Sequence, residues 1–395
     1  MKFTINKTSL QKALTTVIGV VPSNSTISVL TCFLVEIKDS TIAITGTDLE
    51  CAITLTLDVE TEMFNEEESL AVPAKLLLNL LKQLPDIPVT LSSEKDKLTV
   101  HAGKGLYKIA LQSYEDYPKL NIDDSKSIYF NIQKTVLQEL FSTTMFSVSH
   151  DEMRPGLTGL GVEILKTSIC VTGTDGHRLS QLSYSHIEGA EDKNFILPTK
   201  ACSIISKYID NDGFTPLIVG EDFVHFKIDN FSLYSKLIAG TYPNVDKVIP
   251  KDNDTKVLID REEFISALKR ISIFSDSYSH RVELKFATNE MVLTASSTET
   301  GANALESMAI DYAGDEHCFG FNHAYLLDVL NHCNNKTITF KFKDADSAVL
   351  ILDVPLEDGF EGLFLLMPIR IEQIKEEEGL EKVDTNADVH ANDRK

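Results

Sequence analysis

The chain has 395 residues, of which 43% are hydrophobic and 24% charged, a composition that excludes a wholly disordered or fibrous protein. At about 150 residues per domain, this length predicts two or three domains. Acidic residues number 59 against 37 Lys and Arg, and the net charge of −22 argues at first sight against a nucleic acid as partner.

The sequence predicts a cytoplasmic protein. Nowhere do about 18 apolar residues follow one another, and no apolar segment follows the lysines at the start, so neither a membrane span nor a signal peptide is expected. The 6 cysteines are far apart and form no CxxC pair. This spacing favours reduced, structural thiols over disulfides or a metal site, and no cofactor is expected.

An internal repeat organises the chain. STIAITGTDLECAI from Ser40 is matched by TSICVTGTDGHRLSQL from Thr167 and, more weakly, by NEMVLTASSTETGANA from Asn289. A strand that enters a helix opens each unit, at 1–21, 127–149 and 257–275. A second helix follows in VPAKLLLNLLKQL, LPTKACSIISKYI and FNHAYLLDVLNHC. Repeats of this length indicate three copies of one structural unit.

Each unit is expected to combine two amphipathic helices with many strands. Leu10, Leu14, Val17, Ile18 and Val21 fall on one face of the first helix. Val136, Leu137, Leu140 and Phe141 do the same in the second unit. Other stretches, such as LTVHAGKGLYKIAL, alternate with period two. The predicted fold class is α+β with antiparallel sheets.

Polar, turn-forming stretches predict the domain boundaries. NIDDSKS and PKDNDTK interrupt the apolar pattern, so the units are placed at 1–124, 125–253 and 254–371. Residues 372–395 carry 8 acidic and 4 basic side chains among few apolar ones. We expect this acidic tail to be disordered.

Charge is distributed unevenly over the repeat. The six helical segments hold 11 Lys or Arg and 5 Asp or Glu, a net +6, which leaves −28 for the rest of the chain. Helices that present cations to phosphates would bind DNA without reading its sequence. The alternative, an ordinary solvated helix face, is weakened because Lys75 matches Lys200 and Lys82 matches Lys207. The helical candidates are Lys7, Lys12, Lys75, Lys82, Lys134, Lys200, Lys207, Lys269 and Arg270.

Five motifs in order resemble one family. TGTDLE, TGTDGHRL, GTYPNVDKVIP, FGFNHAYLLDVLN and LLMPIRI are similar to segments of the bacterial DNA polymerase III beta subunit, the sliding clamps. The resemblance runs from Met1 to Ile371. It implies three clamp domains per chain, each with sheets outside and two helices inside, and two chains joined head to tail in a ring around duplex DNA. Implied partners are the polymerase III catalytic subunit, the clamp loader and other clamp-binding proteins, with no membrane.

The resemblance also implies site residues. Tyr107, Ile273 and Phe274 would form the dimer contact, and His150 and Arg154 would add phosphate contacts. Asn24, Pro155 and Gly156 depart from the family's pattern at positions near DNA. The groove for partner peptides would consist of Leu157, Thr174, Gly176, His177, Arg178, Leu179, Pro243, Lys247, Val248, Val349, Leu365, Met367, Pro368, Ile369 and Arg370.

Catalysis is not expected. Asp175, His177 and Ser180 are too close in sequence to suggest a Ser–His–Asp triad, and no GxSxG motif is present. Asp48 and Asp175 are expected to fix turns. The glycine-rich stretches GLTGLG and HAGKG lack the spacing of a phosphate loop.

Other readings of the sequence remain open. The fold could serve a scaffold protein that binds partners without encircling DNA. An enzyme with an acidic surface is a further alternative, although no spacing of polar residues supports it. The acidic tail could modulate peptide entry into the groove by competing for it or by repelling charge.

Overall fold

The computed structural model describes residues 2–38, 40–61, 68–118, 126–187, 191–209, 212–353 and 359–370. The predicted acidic tail lies outside these residues, as does the first predicted boundary at 124/125. The boundaries therefore stay predictions, and the three repeats are called units below.

Each unit contributes two helices that pack on each other and on the sheets. The six helices are α1 (Lys7–Val17), α2 (Ala74–Gln83), α3 (Lys134–Thr144), α4 (Thr199–Tyr208), α5 (Arg261–Ser272) and α6 (His323–His332). Side-chain caps explain three of the starts. The Asn6 carboxamide accepts the N–H groups of Thr8 at 2.9 Å and Ser9 at 3.1 Å, and Asp260 and Asn322 cap α5 and α6 in the same way.

Antiparallel strands make up the rest of each unit. The first unit contains β1 (Lys2–Asn6), β2 (Cys32–Lys38), β3 (Thr41–Thr47), β4 (Cys51–Asp58), β5 (Glu60–Thr61), β6 (Glu68–Pro73), β7 (Pro88–Glu94), β8 (Lys97–Ala102) and β9 (Gly105–Ala110). The second contains β10 (Ile128–Gln133), β11 (Gly159–Leu165), β12 (Ser168–Thr174), β13 (Arg178–Ser185), β14 (Lys193–Pro198), β15 (Phe214–Val219), β16 (Phe223–Ile228) and β17 (Phe231–Lys236). The third contains β18 (Thr255–Asp260), β19 (Arg281–Ala287), β20 (Glu290–Ser296), β21 (Asn303–Ala309), β22 (His317–Asn322), β23 (Thr337–Phe342), β24 (Val349–Asp353) and β25 (Phe360–Leu366).

The described strands form four sheets, two of which run across unit boundaries. One eight-stranded sheet has the order β10-β15-β16-β17-β4-β3-β2-β6 and joins the first two units where β17 pairs with β4. The other, β14-β11-β12-β13-β25-β24-β23-β18, joins the last two units where β13 pairs with β25. The two end sheets, β5-β1-β7-β8-β9 and β21-β20-β19-β22, have β9 and β21 as one of their two edge strands, with β5 and β22 at the opposite edges.

The core lies between the helices and the inward faces of the sheets. The predicted apolar faces are confirmed: Leu10, Leu14 and Val17 are buried in α1, with Ile18 and Val21 packed partly buried against the same core. Val136, Leu137, Leu140 and Phe141 are buried in α3. A second cluster fills the third unit, around Phe264, Phe286 and Phe340. The predicted α+β class, with antiparallel sheets and two helices per unit, is confirmed.

Candidate functional site

Most of the predicted helical cations lie on exposed helix surfaces. Lys12, Lys75, Lys82, Lys200, Lys207 and Lys269 are exposed, and Lys7 is half-buried. Lys82 and Lys207 lie in the last turns of α2 and α4, where the helix dipole favours a positive charge. Lys75 and Lys200, which occupy matching positions in α2 and α4, differ in their contacts. The Lys75 ammonium donates to the Ser23 carbonyl at 3.4 Å, whereas Lys200 forms an ion pair with Asp48.

Lys134 does not fit the expectation that it faces DNA. Its side chain is only 5% exposed, and its ammonium lies 3.2 Å from the Asp229 carboxylate in the β16–β17 turn. This prediction is wrong, because a buried, paired ammonium cannot reach a phosphate. Arg270 is exposed but forms a two-bond ion pair with Glu306 on the edge strand β21.

The loop before β11 holds the other predicted phosphate contacts. His150 is exposed. The Arg154 guanidinium donates to Asp151 at 2.9 Å and to the Asp175 carbonyl at 3.4 Å. Backbone donation from Met153 and the Arg154 side chain lower the pKa of the Asp151 carboxyl. Asn24, Pro155 and Gly156 are at least partly exposed.

An outer apolar cluster lies on the face of the second eight-stranded sheet that points away from the helices. Leu179 on β13 pairs directly with Leu365 on β25, while their neighbours Ser180 and Phe364 face inward. The outer apolar cluster consists of Leu179, Ala348, Leu350 and Leu365, with Val245, Ile249 and Leu363 packed against it.

Several predicted groove residues surround this cluster. Met367 is 44% exposed, and its backbone N–H donates to the His177 carbonyl at 2.9 Å. Pro243, Lys247, Val248 and Arg370 are exposed, and Leu157, Pro368 and Ile369 are half-buried. The structure therefore supplies a cluster of buried aliphatic side chains with an exposed Met and Val beside it.

Val349 is wrongly predicted as a groove residue. It is 1% exposed and belongs to the core of the third unit. Side chains alternate along β24, so Val349 and Ile351 face the helices whereas Leu350 faces outward. Ala348 and Leu350 belong to the outer apolar cluster but were not predicted as groove residues. The sequence alone did not show which alternate residues of β24 face outward.

Arg178, predicted as a groove residue, is not available to contact a bound peptide. Its guanidinium is buried and donates to Asp175 at 3.1 Å, to Asp328 on α6 and to the Phe146 carbonyl at 2.8 Å. It also lies over the Tyr325 ring, 4.6 Å from the centroid. Arg178 therefore joins the second unit to the third from beneath the groove.

The turn around Asp175 is structural, as predicted. The Asp175 carboxylate accepts the N–H groups of His177 at 2.8 Å and Arg178 at 3.0 Å, and Asp48 does the same for Glu50 and Cys51. The Thr174 hydroxyl donates to the Arg178 carbonyl at 2.7 Å, and Gly176 adopts a positive φ of 92°. Ser180 donates to the Thr144 carbonyl instead of to a histidine, so no triad forms here. His177 is exposed and stacks on Tyr325.

The predicted dimer residues lie on or near the edge strands β9 and β21. Tyr107 is on β9, Ile273 is 78% exposed just after α5, and Phe274 is also exposed. Two leucines that the sequence analysis missed lie on the edge strands themselves. Leu106 on β9 is 55% exposed and Leu305 on β21 is 72% exposed.

The described residues offer little to other kinds of site. None of the helices among them combines the length and apolarity needed to cross a membrane. Within the same residues, no group of three or more His, Cys, Asp or Glu side chains could hold a metal ion. All 6 cysteines are free thiols.

Comparison with known proteins covers nearly the whole chain. Models of the DNA polymerase III beta subunit match in three parts: the N-terminal domain at 1–121, the central domain at 131–244 and the C-terminal domain at 246–369. The beta sliding clamp of Chlamydia pneumoniae is 30% identical over 94% of this chain and 99% of its own length. That of Haemophilus influenzae is 31% identical over 94% of this chain and 100% of its own length.

Solved structures agree with this match. The DNA polymerase III subunit beta of Pseudomonas aeruginosa superposes with a TM-score of 0.87 at 28% identity, covering 94% of this chain and 100% of that one. A sliding clamp from the same organism, bound to griselimycin, gives a TM-score of 0.88 at 28% identity over the same shares of both chains. The three matched domains and the shared fold show that this chain belongs to the DNA polymerase III beta subunit family, the bacterial beta sliding clamps.

Proposed function

We propose residues for three surfaces of this clamp: a basic helix face for duplex DNA, an apolar groove for partner peptides, and two strand edges that join copies. As a member of its family, the chain is a DNA sliding clamp and processivity factor. It binds DNA, DNA polymerase III and the clamp loader, and it forms a dimer. We place it in the cytoplasm and assign it no catalytic step.

The DNA-facing surface consists of the exposed helical cations, with His150 and Arg154 as neighbours. Lys82 and Lys207 recur at one position in two units, which supports a shared role. Because the rest of the chain carries a net negative charge, these helices attract DNA more strongly than the remaining surface does. Contacts of this kind bind phosphates without reading bases, as sliding requires.

The peptide groove is centred on the outer apolar cluster. Leu179 and Leu365 form its floor, and Met367 and Val248 provide the exposed apolar surface. Concave apolar sites bind aliphatic and aromatic anchors, and a flexible methionine adapts to different ones. We exclude Lys134 from the DNA surface, and Arg178 and Val349 from the groove surface.

Ring closure follows from the repeat, and this is the observation that carries the proposal. The strand after the TGTD-type turn, β4 or β13, pairs with the last strand of the next unit, β17 or β25. Among the described strands, the corresponding ones, β21 in the third unit and β9 in the first, have a neighbour on one side only. If β21 of one copy pairs with β9 of another, two copies close a ring of six units and leave neither edge exposed.

The strand pairings between units within the chain also predict the register of the contact between copies. Ala52 pairs with Tyr234 and Leu179 pairs with Leu365. Equivalent positions place Asn303 opposite Lys108 of the partner subunit and Leu305 opposite the partner's Leu106. Phe146, which follows α3, packs 6.0 Å from the Phe364 ring. Its counterpart after α5 is Ile273, which would pack on the partner's Tyr107.

Retention on DNA tests the proposal against a clamp-fold scaffold that does not encircle DNA. The protein is loaded on circular DNA, and its release is followed after the circle is cut. We expect retention before cutting and loss afterwards, because a ring slides off an end. Equal retention on both forms would contradict encirclement.

The basic face is tested in the same assay. Replacing Lys75, Lys82, Lys200 and Lys207 with Gln should reduce retention and its dependence on salt, since each lost phosphate contact lowers the salt slope by about 0.9. Replacing Lys97, Lys256, Lys285 and Lys343, which lie outside the helices and outside the proposed contact between copies, is the charge-matched control. An unchanged slope in the helix variant would overturn the assignment.

A further inference from the structure

A cleft of about 340 Å³ lies on the outward face of the second unit. One side is the sheet formed by β11 to β14, and the other is the segment 240–246 that crosses it. This outer cleft is lined by Glu163, Cys170, Gln181, Asn194, Tyr242 and Asp246. None of these residues was assigned to the DNA, peptide or dimer surfaces above.

The cleft is preformed because its covering segment is fixed to the sheet. The Tyr242 ring lies directly against the backbone of Gly161, where a Cβ would come within 2.5 Å of a ring carbon. Only glycine allows so close an approach on a strand. Tyr242 thereby holds the segment 240–246 at a set distance above the sheet.

The cleft is electrically negative. Glu163 is exposed on β11 and Asp246 on the covering segment. Burial raises the pKa of the Cys170 thiol to about 11, and the charges of Glu163 and Asp246 both add to that effect. Both carboxylates therefore act on the same point of the cleft floor. Gln181 and Asn194 add neutral amides to the lining.

The cleft is continuous with the outer apolar cluster. Val245 lines the cleft and also packs against the outer apolar cluster. Pro243 lines the cleft and belongs to the proposed groove. A peptide anchored by its apolar side chains in the cluster therefore has the negative cleft at its side.

We propose that the outer cleft binds a lysine or arginine side chain of the same peptide whose apolar residues occupy the outer apolar cluster. This inference rests on the proposed peptide groove and adds a cation-binding subsite to it. The length of a Lys or Arg side chain lets its charge enter the cleft while the peptide backbone stays at the apolar cluster. Glu163 and Asp246 supply the opposite charges.

Two synthetic peptides test the inference. Both are fluorescein-labelled and carry the same Leu and Phe anchors; one has arginine on each side of the anchors, and the other has citrulline, which is neutral and of similar shape. Fluorescence anisotropy with the full-length protein gives their affinities. We expect the arginine peptide to bind about fivefold tighter at low salt, the upper range for partly exposed charge pairs.

The variants locate the effect. In the double variant Glu163→Gln, Asp246→Asn, the preference for arginine should disappear while the citrulline peptide binds as before, which also shows that the protein is folded. Glu36→Gln is the matched control, because Glu36 occupies the same strand position in the first unit, beside Tyr117 instead of Tyr242. The control should keep the preference.

The possible failures are distinguishable. If both peptides bind equally to the unaltered protein, or if the preference survives in the double variant, the outer cleft is not a cation site although the groove stands. If neither peptide binds, the proposed groove itself is wrong and the inference falls with it.

Discussion

The boundary between the first and second units and the boundary between the second and third share one backbone plan, an antiparallel strand pair within a continuous sheet. Their side chains differ. Beneath the first boundary one apolar core cluster runs through both units, and polar contacts join the surface, including Lys236 with Glu50 at 3.3 Å and the Asn230 side chain with the Thr56 carbonyl at 2.8 Å. The second has a buried arginine beneath and an apolar cluster above.

The two boundaries show which features belong to the repeated fold and which belong to one binding site. The strand pairing sets the position of neighbouring units in both cases. Among the described residues, the second boundary presents a cluster of leucines outward, and Val245 and Ile249 pack against it. A repeated fold thus supplies equivalent positions, and the side chains at one of them make a binding site.

The largest expected effect is at Arg178. Replacing it with Leu leaves the Asp175 carboxylate and the Phe146 carbonyl without their buried partner, which should lower the free energy of unfolding by about 3 kcal/mol. Arg178→Lys should recover little, because a lysine cannot reproduce the planar fork of donors. Urea unfolding measures both.

Lys236→Gln at the first boundary is the comparison for Arg178. Its ion pair is exposed, so the expected loss is under about 1 kcal/mol. Equal losses at the two boundaries would contradict the view that only the second depends on a buried arginine.

The next effect concerns peptide binding. Met367→Glu places a charge beside the outer apolar cluster and should weaken a Leu- and Phe-containing peptide at least about tenfold. Anisotropy measures the affinity. Met153→Glu, the same change on an exposed loop, should leave it unaltered, and a similar loss in both variants would refute the groove assignment.

The third effect tests the boundary proposed between copies. Leu305→Glu puts a carboxylate opposite the partner's Leu106 and should weaken the dimer at least about tenfold, as seen by sedimentation across a dilution series. Leu258→Glu on β18 is the control, because the Leu258 side chain is also exposed while its backbone is already paired with Asp311 of the same chain. A dimer that persists in the Leu305 variant would reject the proposed register.

Ile273→Ala combined with Phe274→Ala should shift the same equilibrium less, since it removes apolar contact without adding charge. Sedimentation of this variant beside Leu305→Glu ranks the two parts of the interface. An effect from Leu305 alone would show that the segment after α5 is outside the contact.

The smallest expected effect is at the first boundary. Burial raises the pKa of Asp48, but hydrogen bonds from Lys200 and from the backbone of Cys51 and Glu50 outweigh it and lower that pKa overall. A lowered folded-state pKa stabilises the protein above the unfolded value of about 3.9, and the contribution is lost as the pH falls through the folded value.

Asp48→Asn tests this contribution. Asn can still accept the backbone N–H groups, so it removes mainly the ion pair, at a cost of about 1 kcal/mol or less at pH 7. Urea unfolding should show the variant and the unaltered protein converging as the pH falls below about 4. A difference that grew on acidification would contradict the assignment.

The sequence was sufficient for the repeat and its inward faces, because local periodicity fixes which side of α1 or α3 is apolar. It was insufficient where a side chain's role depends on a distant residue. The Lys134 ammonium forms an ion pair with Asp229, and the Arg178 guanidinium forms one with Asp328. Both acidic residues are distant in sequence from the side chains they pair with. The assignment of Val349 to the groove was wrong because successive residues along a strand point to opposite faces of the sheet.

The continuous sheets have a mechanical consequence. Turning one unit against its neighbour within a chain would require breaking backbone hydrogen bonds between β4 and β17 or between β13 and β25, whereas many domain boundaries involve side chains alone. Each chain is therefore a stiff arc. In a ring of two such arcs, elastic compliance is concentrated where the copies meet, and this is where a force that opens the ring will act.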